Sequence, residues 1–355
     1  MTDSYAATWR QTFASTVGVE DALTELSCEA ARALEVGPAA TARMHNLVAI
    51  STDTASHAAV DRVLAAMAEV HPSRLVRVRL DPAAPDGVQA QASVRCHVEG
   101  DLRCPIVYET VEIATGGNAG RHLAEIVAPV LEADLPVVLW WTGHPPFGDP
   151  AFEELLPLVD RLLLDSAALG STGLRALADV LPTSPPVVDL AWGRLRPWRE
   201  TIAAAFDHPP LDSAIREVRA VEIDVAGASV EGRLLAGWLA VKLGWQVARP
   251  LAGGRVGRGA FVRSGAVIPL VLAKEDGPAA IRRLAIEAGG YHLALTARGD
   301  WADVRLARDD LLLSEQRLPL VIPDDATLVS RALMRGGRDR DWEAAMSVTA
   351  ILVSP

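Results

Sequence analysis

The sequence predicts an α/β fold in two parts: a helix-covered mixed sheet forms an N-terminal domain, and a second, α+β domain contains an antiparallel meander. Three observations support this prediction. A strand, a helix and a strand follow one another between residues 45 and 80. The apolar run DLPVVLWWTG at 134–143 has the composition of a strand covered on both faces. Short strand-like runs between residues 267 and 307 are separated by glycine and acidic turns.

The N-terminal part of the chain supplies the first elements. Residues 1–39 are expected to be an N-terminal helical segment, irregular as far as residue 18 and then an amphipathic helix. HNLVAIS at 45–51 is expected to be a buried strand, followed by a helix over 56–70 and a half-exposed strand over 75–80. This order predicts parallel pairing of the two strands with a right-handed crossover.

Two strands at 88–99 and 104–114 are predicted to form a β-hairpin. In one register, Cys96 and Cys104 face each other on its two arms. They are then either a redox pair or two buried free thiols, the usual state in a reducing cytoplasm. The turn TGGNAG at 115–120 precedes a helix, a context in which backbone N–H groups can hold an anion, but it lacks the G-x-G-x-x-G spacing.

The run at 134–143 is expected to be the central strand of the first domain, which spans residues 40–207. Trp140 and Trp141 must point to opposite faces of the sheet, because successive strand residues alternate. Both lie at the carboxyl end of the strand, where open α/β sheets usually bind ligands or partners. A functional site is therefore expected near these two residues.

The second domain is expected to span residues 211–355. The linker Asp207-His208-Pro209-Pro210 separates it from the first domain, and the prolines at 182–186 are the alternative boundary. The domain begins with a strand and a strong helix. A Gly/Arg-rich loop at 251–265 follows, either a plain connection or a mobile loop at an anion or partner site.

Composition limits the classes of function. A net charge of −11 and a pI near 5.2 argue against broad nucleic-acid binding, which needs a basic surface. Apolar runs end well before the roughly 18 residues of a membrane span, and the N-terminus lacks a signal-peptide pattern, so we expect a cytoplasmic protein without membrane contact. The sequence contains no nucleophile elbow, H-E-x-x-H or P-loop. No catalytic residue, metal ligand or cofactor is therefore predicted.

Positive charge and tryptophan are nevertheless concentrated locally. No Asp or Glu lies between Glu231 and Glu275, and this interval contains seven Arg and Lys residues. It could present a positive face to an anionic ligand or acidic partner, or folding could disperse its charges over a solvated surface. Six of the nine tryptophans lie between residues 140 and 245, several beside arginine. Tryptophan and arginine are both enriched in interface hot spots.

Six sequence blocks carry a family resemblance: HNLVAIS, CPIVYETVEI, DLPVVLWWTG, DRLLLDSA, DLAWGRLRPWRE at 189–200 and LLAGWLAVKLGW. In this order they resemble the OpcA family of glucose-6-phosphate dehydrogenase assembly proteins. The resemblance implies a non-catalytic activator that binds glucose-6-phosphate dehydrogenase and promotes its active oligomer, at the entry to the oxidative pentose phosphate pathway. Arg196 departs from the expected pattern, because it lies where a small capping hydroxyl is expected.

Two hypotheses about the site follow. If the chain is such an activator, the interface or its direct support is formed by Trp140 or Trp141, Trp192, Arg194, Trp198 and Arg199. The alternative is a sugar-phosphate- or nucleotide-binding enzyme or sensor that uses the carboxyl edge of the α/β sheet. In that case Arg194, Arg199 or the Gly/Arg loop would hold the phosphate. The sequence does not predict the oligomeric state of the chain itself.

Overall fold

The computed structural model describes residues 5–33, 44–67, 73–98, 106–207, 209–227, 230–278, 280–309 and 311–353. They form two compact units. The first unit takes Met1–Leu164, Thr183–Val188 and Asp325–Gly337, and the second takes Asp165–Pro182, Asp189–Asp324 and Arg338–Pro355.

The strands of the first unit form one sheet. They are β1 (Tyr5–Phe13), β2 (Asn46–Ser51), β3 (Arg74–Asp81), β4 (Gly87–Val98), β5 (Ile106–Gly116), β6 (Val137–Trp141), β7 (Arg161–Leu164) and β8 (Val187–Asp189). Their spatial order is β1-β4-β5-β3-β2-β6-β7-β8. From β5 to β7 the neighbours are parallel, whereas β4 pairs antiparallel with β1 and β5. The order from β5 to β8 is that of a doubly wound dinucleotide-binding sheet, with its crossing point between β2 and β6.

The helices alternate with these strands and continue into the second unit. They are α1 (Val19–Ala33), α2 (Thr54–Met67), α3 (Leu123–Val127), α4 (Pro150–Glu153), α5 (Ser171–Val180), α6 (Leu190–Arg194), α7 (Arg196–Phe206), α8 (Leu211–Ala214), α9 (Glu231–Leu243), α10 (Asp325–Met334) and α11 (Arg340–Leu352). In α2 the residues Val60, Val63 and Leu64 are buried on one face, as the apolar periodicity predicts.

The core of the first unit lies around β2 and β6, both buried along their whole length. The predicted strand at 134–143, the β2–α2–β3 unit with parallel strands and the β4–β5 hairpin are confirmed. Cys96 lies opposite Val107 in that hairpin, and Cys104 is outside the described residues, so the predicted redox pair stays a prediction.

Residues 1–18 had been expected to be irregular, but Tyr5–Phe13 forms β1, which adds a strand to the sheet. It pairs with β4 from Tyr5↔Val98 to Phe13↔Ala90. This pairing joins residues some eighty positions apart, so no local sequence pattern shows it. The helix predicted to follow is present as α1.

The second unit is built on another sheet. Its strands are β9 (Val218–Ala226), β10 (Gln246–Ala252), β11 (Val256–Arg263), β12 (Ala266–Glu275), β13 (Ala280–Ala288), β14 (Tyr291–Arg298), β15 (Trp301–Arg308) and β16 (Leu311–Pro319), in the order β10-β11-β12-β9-β13-β14-β15-β16. β13 to β16 form the predicted antiparallel meander. β12, expected in that meander, is separated from it by β9, to which β12 is parallel.

The Gly/Arg-rich segment at 251–265 is a strand and not a loop, which corrects the expectation. Most of it forms β11, paired with β10 and β12. Gly259, one of the glycines that suggested a loop, allows close strand packing. A Cβ on Gly259 would lie 3.0 Å from the carbonyl oxygen of Arg249, where the register of the β10–β11 pair shifts.

The helices beside this sheet include α5, α6 and α7, which the sequence had placed in the domain at 40–207. Residues 165–182 and 189–207 belong to the second unit, where α5 contacts α11 and α6 contacts α9. Neither the predicted boundary at 207–211 nor the one at residue 39 coincides with a change of unit. α9 in turn packs on β9, since a Cβ on Gly232 would lie 2.6 Å from the Val225 side chain.

Candidate functional site

A crevice lies at the carboxyl ends of β2 and β6, the crossing point of the first unit's sheet. Its cavity has a volume of about 610 Å³, within the usual range of small-molecule sites. Apolar side chains supply much of its wall: Leu80, Pro82, Leu123, Trp141, Pro146, Ala151 and Phe152. The polar side chains that line it are Thr52, Asn118, Arg121, His144 and Asp149.

Trp141 is the largest aromatic residue of this wall. Its ring meets Phe152 of α4 edge to face, with centroids 5.1 Å apart. The side chain is buried, yet its indole Nε1–H has no acceptor among the described residues. Buried donors are normally paired, so this group is an exception within the packed core behind the crevice.

A dinucleotide does not fit the phosphate position of this sheet. In such folds a glycine-rich turn after the first strand brings the pyrophosphate onto the N-terminus of the next helix. Here Thr52-Asp53 connects β2 to α2, and Asp53 itself caps the helix: Ser56 donates to it from its backbone N–H at 2.9 Å and from its hydroxyl at 2.6 Å. These hydrogen bonds lower the pKa of Asp53, so a carboxylate stands where the phosphate would bind.

The glycine-rich turn at 115–120 is occupied in the same way. The N–H of Ala119 donates to Asp86 Oδ1 at 2.7 Å. Gly117 has a φ of +56°, and a Cβ there would lie 2.8 Å from Asp86 Cα, so only glycine allows this approach. The backbone anion position that the sequence offered to a phosphate is taken by an internal carboxylate.

Two more carboxylates complete this pattern at the same sheet edge. Asp81 accepts a hydrogen bond from the Ala83 N–H, and Asp149, the N-cap of α4, accepts one from the Ala151 N–H, both at 2.9 Å. Arg121 is the one arginine among the lining residues. Asp149 and Arg121, one charge of each sign, are thus the acidic and basic residues that line the crevice.

The second candidate site is the Trp/Arg block, residues 189–200, at the start of α6 and α7 in the second unit. The Arg199 guanidinium lies over the Trp192 ring, 3.5 Å from its centroid, and donates to the Trp192 carbonyl. The Trp192 indole N–H donates to Asp339 Oδ2 at 3.0 Å. Trp192, which the sequence pattern singled out, thus fixes the block to Asp339, the N-cap of α11.

Asp189 is the buried centre of this block. Its carboxylate accepts four hydrogen bonds, from the Ser166 N–H and hydroxyl, the Ala191 N–H and the Trp342 indole, at 2.7–3.0 Å. Burial, with the nearby charge of Asp165, raises the pKa of Asp189 to about 6, and the hydrogen bonds oppose that rise. The carboxyl group is therefore ionised at neutral pH at a cost in stability.

Arg194 joins the block to two other segments. Its guanidinium contacts Asp165 at 2.6 Å and Glu231 of α9 at 3.0 Å. Although burial opposes it, these two carboxylates raise the pKa of Arg194 above its usual value. Arg194 is thus a fixed structural cation and does not serve as a free phosphate-binding group.

The tryptophans predicted as partner contacts are buried in the structure. Trp140, Trp141, Trp192 and Trp198 are each exposed to 4% or less, so they offer no surface to a partner and retain only the second predicted role, support beneath one. The exposed residues of the block are Arg196 and Glu200, paired at 2.7 Å on α7. Sequence reasoning noted Arg196 only as a poor cap, although its i, i+4 spacing to Glu200 marks a solvent face.

The basic stretch between Glu231 and Glu275 is partly neutralised within the second unit. Lys242 pairs with Asp341 at 2.7 Å, and Arg255 pairs with Asp276. Among the described residues, no group of three or more His, Cys, Asp or Glu is arranged to hold a metal ion. No helix in the described part of the chain is long and apolar enough to cross a membrane.

Comparison with protein families gives two matches that together cover most of the chain. Residues 64–180 match the glucose-6-phosphate dehydrogenase subunit N-terminal domain, and residues 185–346 match the C-terminal domain of the same subunit. The two matched ranges meet close to residues 182–186, the alternative boundary that the prolines suggested.

Similar proteins carry the name OxPP cycle protein OpcA. The chain is 28% identical over 180 residues to the OpcA protein from Nostoc punctiforme. The aligned residues cover 50% of this chain and 39% of that protein. It is 29% identical over 185 residues to the one from Synechocystis sp., covering 50% of this chain and 38% of that protein. The chain thus spans about two fifths of the length of these relatives.

Solved structures show a more distant likeness. The WlbA dehydrogenase from Thermus thermophilus is 13% identical, with a TM-score of 0.45 over 88% of this chain and 95% of that one. Gal80p from Saccharomyces cerevisiae is 7% identical, with a TM-score of 0.45 over 82% of each chain. Scores this low carry no argument about function.

Proposed function

Because this chain belongs to the OpcA family of glucose-6-phosphate dehydrogenase subunits, we propose that it is a non-catalytic assembly factor and allosteric activator. It binds glucose-6-phosphate dehydrogenase and favours the active oligomer of that enzyme, in the cytoplasmic oxidative pentose phosphate pathway. The observation that carries the proposal is the pair of family matches, which extend over both halves of the chain.

The geometry of the first unit supports a scaffold. Asp53 occupies the helix N-terminus at which this kind of sheet would hold phosphate, and Asp86 occupies the backbone position of the glycine-rich turn at 115–120. A phosphate placed there would be repelled by a carboxylate and would find its N–H donors already used. The alternative of a sugar-phosphate or nucleotide enzyme therefore loses its structural basis at this edge.

The Trp/Arg block supports a docking role for α7. Its interior is fixed by Asp189, Arg194 and the Trp192–Arg199 stack, so the outer face of α7 is held rigid before any partner arrives. Rigid surfaces bind with a smaller loss of conformational entropy. We assign Arg196 and Glu200 on that face as direct contacts to the enzyme.

Activation follows from differential binding. The chain shifts the enzyme toward its active oligomer only by as much as it prefers that form. A coupling free energy of about 1–3 kcal/mol corresponds to a change of about 5- to 150-fold in the affinity of the enzyme for its substrate.

The test is titration of the purified dehydrogenase with wild-type protein and with Arg196→Glu, measuring both activity and binding. Arg196 is exposed and pairs with Glu200 on the same helix, so its reversal should leave folding intact and weaken binding by about tenfold or more. Arg305→Glu is the matched control, since Arg305 forms a similar exposed pair with Glu315 on β15 and β16. Equal activation by all three proteins would exclude the α7 contact, and failure of the wild type to bind would exclude the function.

A further inference from the structure

We propose that Arg233 and Lys274 of the second unit together bind the phosphate group of a small molecule, either inorganic phosphate or a phosphate monoester. The inference goes beyond the proposed function and does not depend on it. It starts from the acid-free stretch between Glu231 and Glu275, in which Arg233 is the first basic residue and Lys274 is the last. The fold brings the two ends of this stretch together.

The packing of α9 on the sheet places the two side chains. A Cβ on Gly232, in the first turn of α9, would lie 2.6 Å from the Val225 side chain and 3.0 Å from the Leu272 side chain, so this turn lies directly over β9 and β12. Lys274 follows Leu272 by two positions in β12 and therefore points to the same, helix-covered face of the sheet. Arg233 is next to Gly232, so the two basic side chains are neighbours at the carboxyl ends of two parallel strands.

The two basic side chains have no anionic partner among the described residues, to which they form neither a hydrogen bond nor an ion pair. The carboxylates that are close in sequence are used elsewhere. Glu231 pairs with Arg194 at 3.0 Å, and Asp276 pairs with Arg255. Glu275 alternates to the opposite face of the sheet. A positive site without a counter-charge is what remains of the basic stretch at this end of the sheet.

This arrangement costs stability as long as it is empty of an anion. Burial lowers the pKa of Arg233. Burial, and after it the charge of Arg233, lower the pKa of Lys274, so the folded chain disfavours the charged form of both groups. Arg233 also lies in the first turn of a helix, where the helix dipole disfavours a cation. Several unfavourable contributions at one place are typical of a functional site.

The charges select a phosphate group. A phosphate monoester carries about −1.5 to −2 charges at neutral pH, which matches two cations, whereas a carboxylate matches only one of them. A guanidinium binds phosphate through two parallel N–H donors, and a lysine ammonium adds a point charge. Arg233 and Lys274 are both half-buried, so solvent and a small anion reach them.

The experiment titrates the full-length protein with inorganic phosphate at constant ionic strength and follows binding by phosphorus NMR. We expect Arg233→Gln and Lys274→Gln each to weaken binding by about tenfold or more, because each removes a charge-assisted hydrogen bond. Arg258→Gln is the matched control. Arg258 belongs to the same basic stretch but is exposed on β11 opposite Val271, on the other face of the sheet, so this variant should bind like the wild type.

Urea unfolding gives a second measurement that a purely structural role would not reproduce. In chloride without phosphate, Lys274→Gln should be at least as stable as the wild type, because it removes a contact between like charges. Added phosphate should stabilise the wild type and Arg258→Gln more than it stabilises Lys274→Gln. The comparison with Arg258→Gln removes the general stabilising effect of phosphate on folded proteins.

The outcomes are distinct. Absence of phosphate binding by the wild type, or equal binding by the wild type, Arg233→Gln and Lys274→Gln, overturns the site. Acetate that competes as well as sulfate does overturns the selection of a doubly charged anion. Glucose 6-phosphate distinguishes the two sources: tighter binding than inorganic phosphate, weakened in both variants, assigns a phosphate monoester, and equal or weaker binding assigns inorganic phosphate. None of these measurements uses the dehydrogenase, so the proposed function stands or falls separately.

Discussion

Replacing Trp342 by Phe would test how the Asp189 carboxylate is held in the core of the second unit. The substitution removes the indole N–H that donates to Asp189 Oδ2 at 2.9 Å. It keeps the backbone N–H through which Trp342 bonds the N-cap residue Asp339. Because Asp189 is buried, bulk water does not replace the lost donor.

The size of the effect depends on pH. The pKa of Asp189 is raised from 3.8 to about 6, so the folded chain binds this proton more tightly than the unfolded chain does. The contribution of this group to stability is therefore largest below about pH 4, and it falls by about 3 kcal/mol as the pH rises through the window up to about 6. A hydrogen bond to a charged acceptor contributes about 1.5–3 kcal/mol, against about 0.5–1.5 kcal/mol for a neutral one.

Trp342→Phe should therefore lower the free energy of unfolding by about 1 kcal/mol more at pH 7.5, where Asp189 is ionised, than at pH 5.0, where it is mostly protonated. The packing loss is the same at both pH values and cancels in the comparison. The measurement is urea unfolding of the second unit, followed by circular dichroism.

Trp245→Phe is the matched control. Trp245 is also buried in the second unit, but its indole N–H has no acceptor in the described part of the chain. Its replacement should cost the same at both pH values. The reasoning is refuted if Trp342→Phe costs the same at both pH values, or more at pH 5.0.

Two further substitutions probe the cores by urea unfolding. Arg74→Ala should destabilise the first unit by about 3–5 kcal/mol, because it removes the guanidinium that pairs with the buried Glu109 carboxylate at 2.8 Å. Arg79→Ala, at an exposed 3.9 Å pair, should stay within about 0.5 kcal/mol. Similar losses for the two would contradict the buried-pair argument. Gly237→Ala should cost about 1–3 kcal/mol, since its Cβ would lie 2.6 Å from a carbonyl oxygen of α11, and Gly254→Ala, with nothing within 4 Å, should be nearly neutral. A neutral Gly237→Ala would mean that α9 and α11 can separate at no cost.

In the first unit, the helices and strands that a local sequence pattern marks were predictable. β6 is a continuous β-branched and aromatic run closed by glycine and prolines, and it forms a fully buried strand as expected. The β2–α2–β3 order fixed the parallel pairing. The position of β1 was not predictable, because its partner β4 is distant in sequence and its own composition is mixed.

The candidate site shows the same limit. Trp192 of the Trp/Arg block looked like a surface anchor because its polar partner, Asp339, lies 147 residues along the chain. Asp189 of the same block likewise accepts from Trp342, 153 residues away. The Asp53 cap was readable, since Asp directly before a helix is a capping signal. The sequence did not show that this cap lies beside the crevice. The crevice is at the crossing point of the sheet, and that point depends on the spatial order of the strands.

The carboxylates that fill the phosphate positions have a consequence for regulation. A nucleotide-binding fold normally reports the level of its nucleotide, because its occupancy rises and falls with the metabolite pool. Here Asp53 at the start of α2 and Asp86 at the glycine-rich turn hold the backbone anion positions at all times, since they are part of the chain. Occupancy of these two positions is thereby independent of nucleotide supply.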